Sequence, residues 1–173
     1  IIEYAEDFIT ELEGMFDKEE FSRKSELGSI EHKSAKEVAV RNMDVRYDPE
    51  TGYLGTNVKT GESLLKISTF DKIFYMKNNG EYRVTSVTDK IFIGKEGIFY
   101  INYGDKEIIG KEIFTMIYRD KIGDKKVWMI KRFQISAFSS DKTYSTVPDK
   151  AKIKKICLFQ SAIIHVKYKE GLK

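Results

Sequence analysis

Short apolar segments separated by turn-forming residues recur along most of this chain, and they constrain its fold more than any other feature. Two of the turns are Asp48-Pro49-Glu50-Thr51-Gly52 and Asn78-Asn79-Gly80; the second predicts a hairpin with positive φ at both central turn positions. Strands this short and this regularly spaced predict a mainly β protein, either a sandwich, a barrel or a propeller-like array. In chain order, we predict strands at residues 44–47, 53–58, 64–68, 72–76, 81–87, 91–93, 98–103, 113–118, 127–133, 155–159 and 162–168.

The start of the chain has a different pattern. From Ile1 to Phe16 apolar residues recur every three or four positions with acidic residues between them, which predicts an amphipathic helix over residues 1–27 that stops near Gly28. A second short helical or irregular stretch is expected at residues 34–41. We therefore predict a helical linker or N-terminal extension at residues 1–42 and a β domain at residues 43–173.

An imperfect internal repeat narrows the choice among β folds. Residues 45–48, 52–56 and 72–76 are echoed, in the same order, by residues 117–120, 127–132 and 155–159. Any one of these matches could arise by chance, since β-rich sequences resemble one another. Three in the same order indicate two or more related blades of four strands each.

The charge of the chain is concentrated toward its end. Residues 1–44 carry 6 basic and 12 acidic residues, a net of −6, whereas residues 111–173 carry 15 and 6, a net of +9. A surface that binds a polyanion is therefore expected in the last third, with a lysine-rich surface that is only solvated as the alternative. Many lysines with few arginines favour binding by phosphate backbone and shape.

The strand at residues 127–133 shows how such a surface could be presented. Alternation places Trp128, Ile130 and Arg132 on one face and Met129, Lys131 and Phe133 on the other. Near the strand end both Lys131 and Arg132 could reach solvent and contact phosphates. The candidate residues for this surface are Arg119, Lys121, Lys125, Lys126, Lys131, Arg132, Lys142, Lys152 and Lys154.

Motifs for catalysis, metal binding or nucleotide binding are missing from the sequence. The two histidines, His32 and His165, are far apart, and Cys157 lies in an apolar run that is typical of a buried structural thiol. No phosphate loop, dinucleotide fingerprint or nucleophile elbow occurs. We expect no catalytic residue, no metal and no cofactor. We also expect a cytoplasmic chain, because one cysteine fits a reducing compartment and no apolar run could span a bilayer.

Four short stretches, in chain order, resemble one known family. Residues 118–120, 131–133 and 141–144 resemble the "YRD…KRF…DKEY" pattern of C-terminal domains in the A subunits of bacterial type IIA topoisomerases. Residues 48–56 are similar to the "G-(Y/F)-(I/L/V)-G-T" opening of the first blade in that family. Residues 71–82 resemble its "D-x-I-(hydrophobic)3-x-x-x-G-x-Y" hairpin, and residues 23–27 resemble its "R-(R/K)-T-E-I" linker.

The resemblance implies a β-pinwheel, a propeller-like disc of four-stranded blades whose basic rim binds and bends duplex DNA to support strand passage. The chain is short for a full disc, which leaves room for an open or incomplete pinwheel. The implied partners are the remainder of the A subunit, its ATPase B subunit, and double-stranded DNA, in the bacterial cytoplasm at the nucleoid.

Two motifs of the family have no counterpart in this sequence. The arginine-rich segment with the DNA-cleaving tyrosine is absent, so the resemblance implies a non-catalytic piece. The gyrase wrapping signature "Q-(R/K)-R-G-G-(R/K)-G" is also absent, which favours topoisomerase IV over gyrase.

Two other classes stay open. A β-propeller or sandwich that binds proteins would carry its basic charge incidentally and would expose an apolar patch. A small-ligand β-barrel with an accessory helix would need a cavity-lining pattern, and the internal repeat counts against it.

Overall fold

The computed structural model describes residues 2–15, 33, 38–158, 161, 163 and 165. The chain divides into two compact units, residues 1–33 and residues 34–173. The first contains helix α1 (Ile2–Met15), as the apolar periodicity predicted. The rest of that predicted helix, including its stop near Gly28, lies outside the described residues, and the predicted domain boundary after residue 42 stays a prediction. No helix among the described residues is long and apolar enough to cross a membrane.

The second unit is mainly β, which confirms the predicted class. In the stretch predicted as helical or irregular at residues 34–41, residue 38 is helical, 39–41 are irregular, and 34–37 lie outside the described residues. The described part of the unit also has eleven strands and one short helix: β1 (Met43–Asp48), β2 (Tyr53–Gly55), β3 (Glu62–Ile67), β4 (Lys72–Lys77), β5 (Glu81–Ser86), β6 (Ile91–Phe92), β7 (Ile98–Tyr103), α2 (Lys106–Ile109), β8 (Phe114–Ile122), β9 (Lys125–Phe133), β10 (Thr143–Ser145) and β11 (Lys152–Leu158). The sequence did not predict α2 or β10. In the strand predicted at residues 162–168, Ile163 and His165 are in no strand, and the other positions lie outside the described residues.

The strands form three antiparallel sheets that share one connectivity. Sheet A has the order β3-β1-β2-β6, sheet B the order β10-β5-β4-β7, and sheet C the order β11-β8-β9. Each sheet starts with a hairpin and then adds a strand beside the first strand of that hairpin. In sheets A and B a fourth strand, β6 or β10, pairs beside the second hairpin strand. In the sequence, this fourth strand comes after the hairpin of the next sheet. The strands of neighbouring sheets therefore alternate along the chain.

The shared connectivity confirms two of the three predicted repeat pairs. β1 and β8 are both first hairpin strands, and β2 and β9 are both second hairpin strands. The third pair was wrong, because β4 opens the hairpin of sheet B, whereas β11 has the position of β3. β4 and β11 look alike only because each is an apolar run that begins with lysine. The pinwheel arrangement itself stays a prediction.

The core lies on both sides of sheet B. Ile73 of β4 packs with Val45 of sheet A, and the next residue, Phe74, packs with Phe114 of sheet C. Successive residues of β4 therefore pack into two different cores. This explains why β4 is a continuous apolar run without alternation of apolar and polar residues. Sheet C packs one of its faces against sheet B, and its other face is turned away from this core.

The hairpin predicted at Asn78-Asn79-Gly80 is confirmed, but its predicted turn type was wrong. Of these three residues only Gly80 has a positive φ, of 81°, and its N–H donates to the carbonyl oxygen of Lys77 at 3.0 Å. This is the form of a three-residue hairpin loop with glycine in the left-handed position. The side chain of Asn79 accepts a hydrogen bond from the N–H of Glu81 at 3.0 Å, which stabilises this form over a primed turn.

Candidate nucleic-acid interface

Alternation in β8 separates a core face from an outer face. Phe114, Met116 and Tyr118 are buried toward sheet B. The residues that alternate with them point the other way: Arg119 is exposed and Ile117 is half-buried, whereas Thr115 is buried although it points outward. In β9 the partners of this inner set include Met129 and Phe133, so the alternation predicted for residues 127–133 is confirmed.

The side chains that point outward from sheet C lie in four rows across β11, β8 and β9. We call this surface the basic face. Each row is given from β11 through β8 to β9. The first row is Cys157, Thr115 and Arg132, the second is Lys155, Ile117 and Ile130, and the third is Lys152, Arg119 and Trp128. The last row, at the end of the hairpin, has only Lys121 of β8 and Lys126 of β9. With rows two residues apart and strands about 4.8 Å apart, the surface measures about 20 Å by about 10 Å. Its length matches about six base-pair steps of duplex DNA at about 3.4 Å each.

The basic face carries one sign of charge. Six of its side chains are cationic, and no acidic residue occupies an outward position in its rows; the six are Arg119, Lys121, Lys126, Arg132, Lys152 and Lys155. Within the part of the chain that the structure describes, Lys126, Lys152 and Lys155 have no carboxylate at salt-bridge distance. Lys121 pairs with Asp124 at 3.6 Å. An exposed pair of this kind contributes about 0–1 kcal/mol and leaves the lysine available to other anions.

An apolar centre lies among these cations. Trp128 is 58% exposed and Ile130 is 54% exposed, and Ile117 sits opposite Ile130 in the same row. The guanidinium carbon of Arg119 lies 5.6 Å from the centroid of the Trp128 ring, its cross-strand partner. This cation–π contact orients the two side chains side by side on the face.

The structure brings together five of the nine candidate residues that the sequence suggested. Those on the basic face are Arg119, Lys121, Lys126, Arg132 and Lys152. Lys125 sits at the end of the hairpin, at an inward position of β9 opposite Ile122. The ammonium group of Lys142 lies 5.5 Å from the ring of Tyr144, in the segment that leads to β10.

Lys131 is on the inner face of β9. Its Nζ donates to the carbonyl oxygen of Thr146 at 3.0 Å and lies 4.9 Å from the ring centroid of Phe133. Lys131 and Arg132 therefore do not form an adjacent pair on one surface, although they adjoin in the sequence.

A bulge in β11 explains why Lys155, and not Lys154, belongs to the basic face. The register with β8 shifts between Ile153 and Lys155, so Lys154 is an extra residue without a partner. After the bulge Lys155 points outward and Ile156 is buried. Simple alternation from Lys152 would have put Lys154 outward.

Trp128 and Ile130 belong to the basic face but were not among the candidate residues. Their alternation with Arg132 was the signal in the sequence that could have identified them.

The described residues do not form the ligand-binding barrel that was left open. Their strands belong to three open sheets. A cavity between sheets A and B, lined by Tyr75, Arg83 and Phe92 among others, has a volume of about 150 Å³. Small-molecule sites usually measure about 300–1,000 Å³. No group of three or more His, Cys, Asp or Glu among the described residues could hold a metal ion.

Comparison with known proteins gives two matches. Residues 44–172 match the family described as "Topoisomerase C-terminal domain, Bacteroidota". The chain is 33% identical over 141 residues to the A subunit of DNA topoisomerase 4 from Borreliella burgdorferi, an alignment that covers 82% of this chain and 22% of that protein. The chain thus spans about a fifth of the length of this relative. No solved structure gives a significant match. Both matches agree with the resemblance carried by the four sequence stretches.

Proposed function

We propose that this chain, which belongs to the topoisomerase C-terminal domain family as part of a topoisomerase A subunit, binds duplex DNA on the basic face and does not itself cleave DNA. The observation that carries the proposal is the set of six exposed cations, without acids, on the outer face of sheet C. Such a face attracts a polyanion from a distance and can contact several phosphates at once.

Binding of this kind follows from counterion release. A protein that neutralises six phosphates of B-DNA has a salt slope, d log K/d log [salt], of about −5. Its affinity then falls about a thousandfold between 50 and 200 mM salt. Four of the six cations are lysines, which act as point charges, so we expect little preference for base sequence.

We further propose that sheets A, B and C are the blades of a pinwheel. Their shared connectivity and interleaved fourth strands support this arrangement. The outer face of sheet C suits an end of the array, because covering it with another sheet would desolvate six cations at a high cost in free energy. Cations on one side of a duplex draw its backbone toward that side, which favours bending of the DNA around the domain.

The partners in the proposal come from the relative. Since the chain spans about a fifth of the A subunit of a topoisomerase 4, we propose that it acts together with the remainder of such an A subunit, and also with an ATPase B subunit. The setting would be a topoisomerase IV-like enzyme in the cytoplasm, at the nucleoid.

A salt titration of duplex binding tests the proposal. We would measure the affinity for a 20-base-pair duplex by fluorescence anisotropy between 50 and 200 mM salt. The double variant Arg119→Ala/Lys126→Ala should reduce the magnitude of the salt slope by about 2. Its matched control is Lys59→Ala/Lys95→Ala, which removes two exposed lysines from turns of the second unit outside sheet C and should leave the slope unchanged. Absence of DNA binding, or equal effects of the two double variants, would contradict the basic face as the DNA-binding surface.

One observation favours a second candidate function, a surface that binds proteins. Trp128 and Ile130 form an exposed apolar pair, as an interaction module would require. In that case the chain would show no affinity for DNA at 50 mM salt, and the titration separates the two functions.

A further inference from the structure

Phosphate binding leaves the apolar centre of the basic face without a role. Trp128 and Ile130 are both more than half exposed, with six cations around them. An aromatic side chain gains most when its 150–250 Å² of surface is buried against a flat apolar partner. Single exposed apolar residues are common, but an exposed pair two residues apart on one strand, beside Ile117, forms a patch.

The position of Trp128 leaves one side of its ring open and places cations on the other. It lies on β9, one of the two edge strands of sheet C in the described part of the chain, and no described strand pairs with the side of β9 that faces away from β8. On the side toward β8 the row continues through Arg119 to Lys152. These two cations can hold a phosphate backbone beside the ring. In sheets A and B the equivalent edge is covered by β6 and β10.

We propose that Trp128 stacks on a base of duplex DNA at a step where the base pairs are locally unstacked, while the surrounding cations hold the flanking phosphates. This inference rests on the proposed function and names its preferred substrate, locally distorted duplex DNA. In a regular duplex each base face is covered by its neighbours. Only a kinked, bulged or mismatched step offers an apolar face to a side chain that phosphate contacts bring close.

Charge favours DNA over a protein as the partner of Trp128. Any partner that covers the apolar centre must also cover the cations in its own two rows, Lys155, Lys152 and Arg119. It meets further cations in the flanking rows, Arg132 on one side and Lys121 and Lys126 on the other. A nucleic-acid backbone supplies a regularly spaced anion for each of them, together with flat apolar groups between the anions. A protein surface would need a matching ring of carboxylates around an apolar pocket.

The experiment uses the fact that Trp128 is the single tryptophan of the chain. Its fluorescence therefore reports directly on contact with DNA. We would titrate the wild-type chain, Trp128→Ala and Trp128→Phe with a 20-base-pair duplex and with the same duplex carrying one unpaired nucleotide. Fluorescence follows the wild type, and anisotropy of labelled DNA follows all three proteins, each at two salt concentrations.

The wild type should bind the interrupted duplex more tightly than the continuous one, with quenching of its tryptophan fluorescence. Trp128→Ala should weaken binding to the interrupted duplex about 5- to 100-fold and abolish the preference, without change in the salt slope. Trp128→Phe, which keeps an aromatic face, should retain most of the preference.

The outcomes separate this inference from the proposed function. If the wild type binds neither duplex, both are wrong. If it binds with the expected salt slope but Trp128→Ala binds equally well, or the fluorescence does not change, only the stacking inference is wrong. If Trp128→Ala reduces the salt slope as Arg119→Ala does, Trp128 acts by positioning Arg119 and the stacking inference is likewise wrong.

Discussion

Lys131 donates a hydrogen bond from its Nζ to the main-chain carbonyl oxygen of Thr146 at 3.0 Å. The next residue, Arg132, points to the opposite side of β9 and belongs to the basic face. Two cations that adjoin in the sequence therefore have different surroundings. Lys131 ties sheet C to the segment that follows β10, whereas Arg132 lies where DNA is proposed to bind.

Replacement of Lys131 by alanine should lower stability and spare DNA binding. Loss of its hydrogen bond should reduce the free energy of unfolding by about 0.5–1.5 kcal/mol, measured by urea denaturation. The salt slope of duplex binding should stay as in the wild type. The matched variant Lys126→Ala, on the same strand but at the hairpin end of the basic face, should instead reduce the slope by about 0.9 and leave stability within about 0.5 kcal/mol. Equal slopes for the two variants would show that the face of β9 does not decide DNA contact.

Asp71 is a buried carboxylate held by four hydrogen bonds. Arg41 donates to it from Nε at 3.0 Å and from Nη2 at 3.2 Å, and Ser68 donates from its N–H at 2.9 Å and its hydroxyl at 2.8 Å. Burial alone would raise the pKa of Asp71, but the hydrogen bonds from Arg41 and Ser68 outweigh it and lower the pKa to about 2. Since the pKa of an unfolded aspartate is about 3.9, folding is stabilised by the ionised form.

Stability should therefore fall in acid, and Asp71→Asn should weaken that fall. The contribution of Asp71 is complete above about pH 5 and is lost as the pH drops toward its folded pKa. Urea denaturation between pH 2 and 7 should show a wild-type free energy of unfolding that declines below pH 5. Asp71→Asn should be less stable by about 1–3 kcal/mol at pH 7 and decline less steeply.

Part of the decline should remain in Asp71→Asn, because Asp48 has a similar environment. Hydrogen bonds from the hydroxyls of Thr60 and Thr51 lower the pKa of Asp48 to about 2 as well. Asp124→Asn, at the exposed tip of the β8–β9 hairpin, is the control and should follow the wild-type profile. Parallel profiles for Asp71→Asn and the wild type would contradict the role assigned to Asp71.

Gly80, in the turn between β4 and β5 of sheet B, packs closely against Ile153 of sheet C, and the space there is too small for a side chain. Its φ is 81°, and a Cβ there would lie 2.6 Å from Cδ1 of Ile153 and 2.6 Å from Oγ1 of Thr146. The hydroxyl of Thr146 also donates to the carbonyl oxygen of Gly80 at 2.8 Å. The turn and the segment between β10 and β11 are thus in direct contact.

Gly80→Ala should destabilise the chain by about 2–4 kcal/mol, measured by urea denaturation. About 1 kcal/mol comes from the left-handed backbone and the rest from overpacking. Gly123→Ala is the matched control, since Gly123 also has a positive φ, of 59°, but nothing lies within 4 Å of its Cβ position. It should lose only the backbone part. Equal losses in the two variants would mean that the contact between the turn of Gly80 and Thr146 is loose.

Local signals were sufficient for most of the strands, because each one combines apolar alternation, or in β4 a continuous apolar run, with a turn that ends it. They failed at β10, since Thr143–Ser145 has no apolar alternation and is a strand only through its pairing with β5. They failed again at the third repeat pair, where β4 and β11 have similar sequences in different positions. Which strands pair over long distances, as β10 does with β5, is decided by packing that a local pattern does not contain.

The region of the candidate site was predictable from the sequence, but its members were predictable only in part. Charge and alternation were sufficient to place it in the last third and to separate the two faces of β9. The exchange of Lys154 for Lys155 depends on a bulge in β11, which alternation cannot anticipate. The bond from Lys131 to Thr146 joins residues 15 positions apart, and only the fold brings them together.

The central claim is that duplex DNA lies on the basic face, and acetylation footprinting of lysines tests it most directly. Mass spectrometry would give the acetylation rate of each lysine with and without a 20-base-pair duplex at 50 mM salt. DNA should protect Lys126, Lys152 and Lys155, and this protection should fall as the salt is raised to 200 mM. The rates at Lys59, Lys95 and Lys131 should not change. Protection spread evenly over all lysines, or protection of Lys59 and Lys95 with none on the basic face, would contradict the claim.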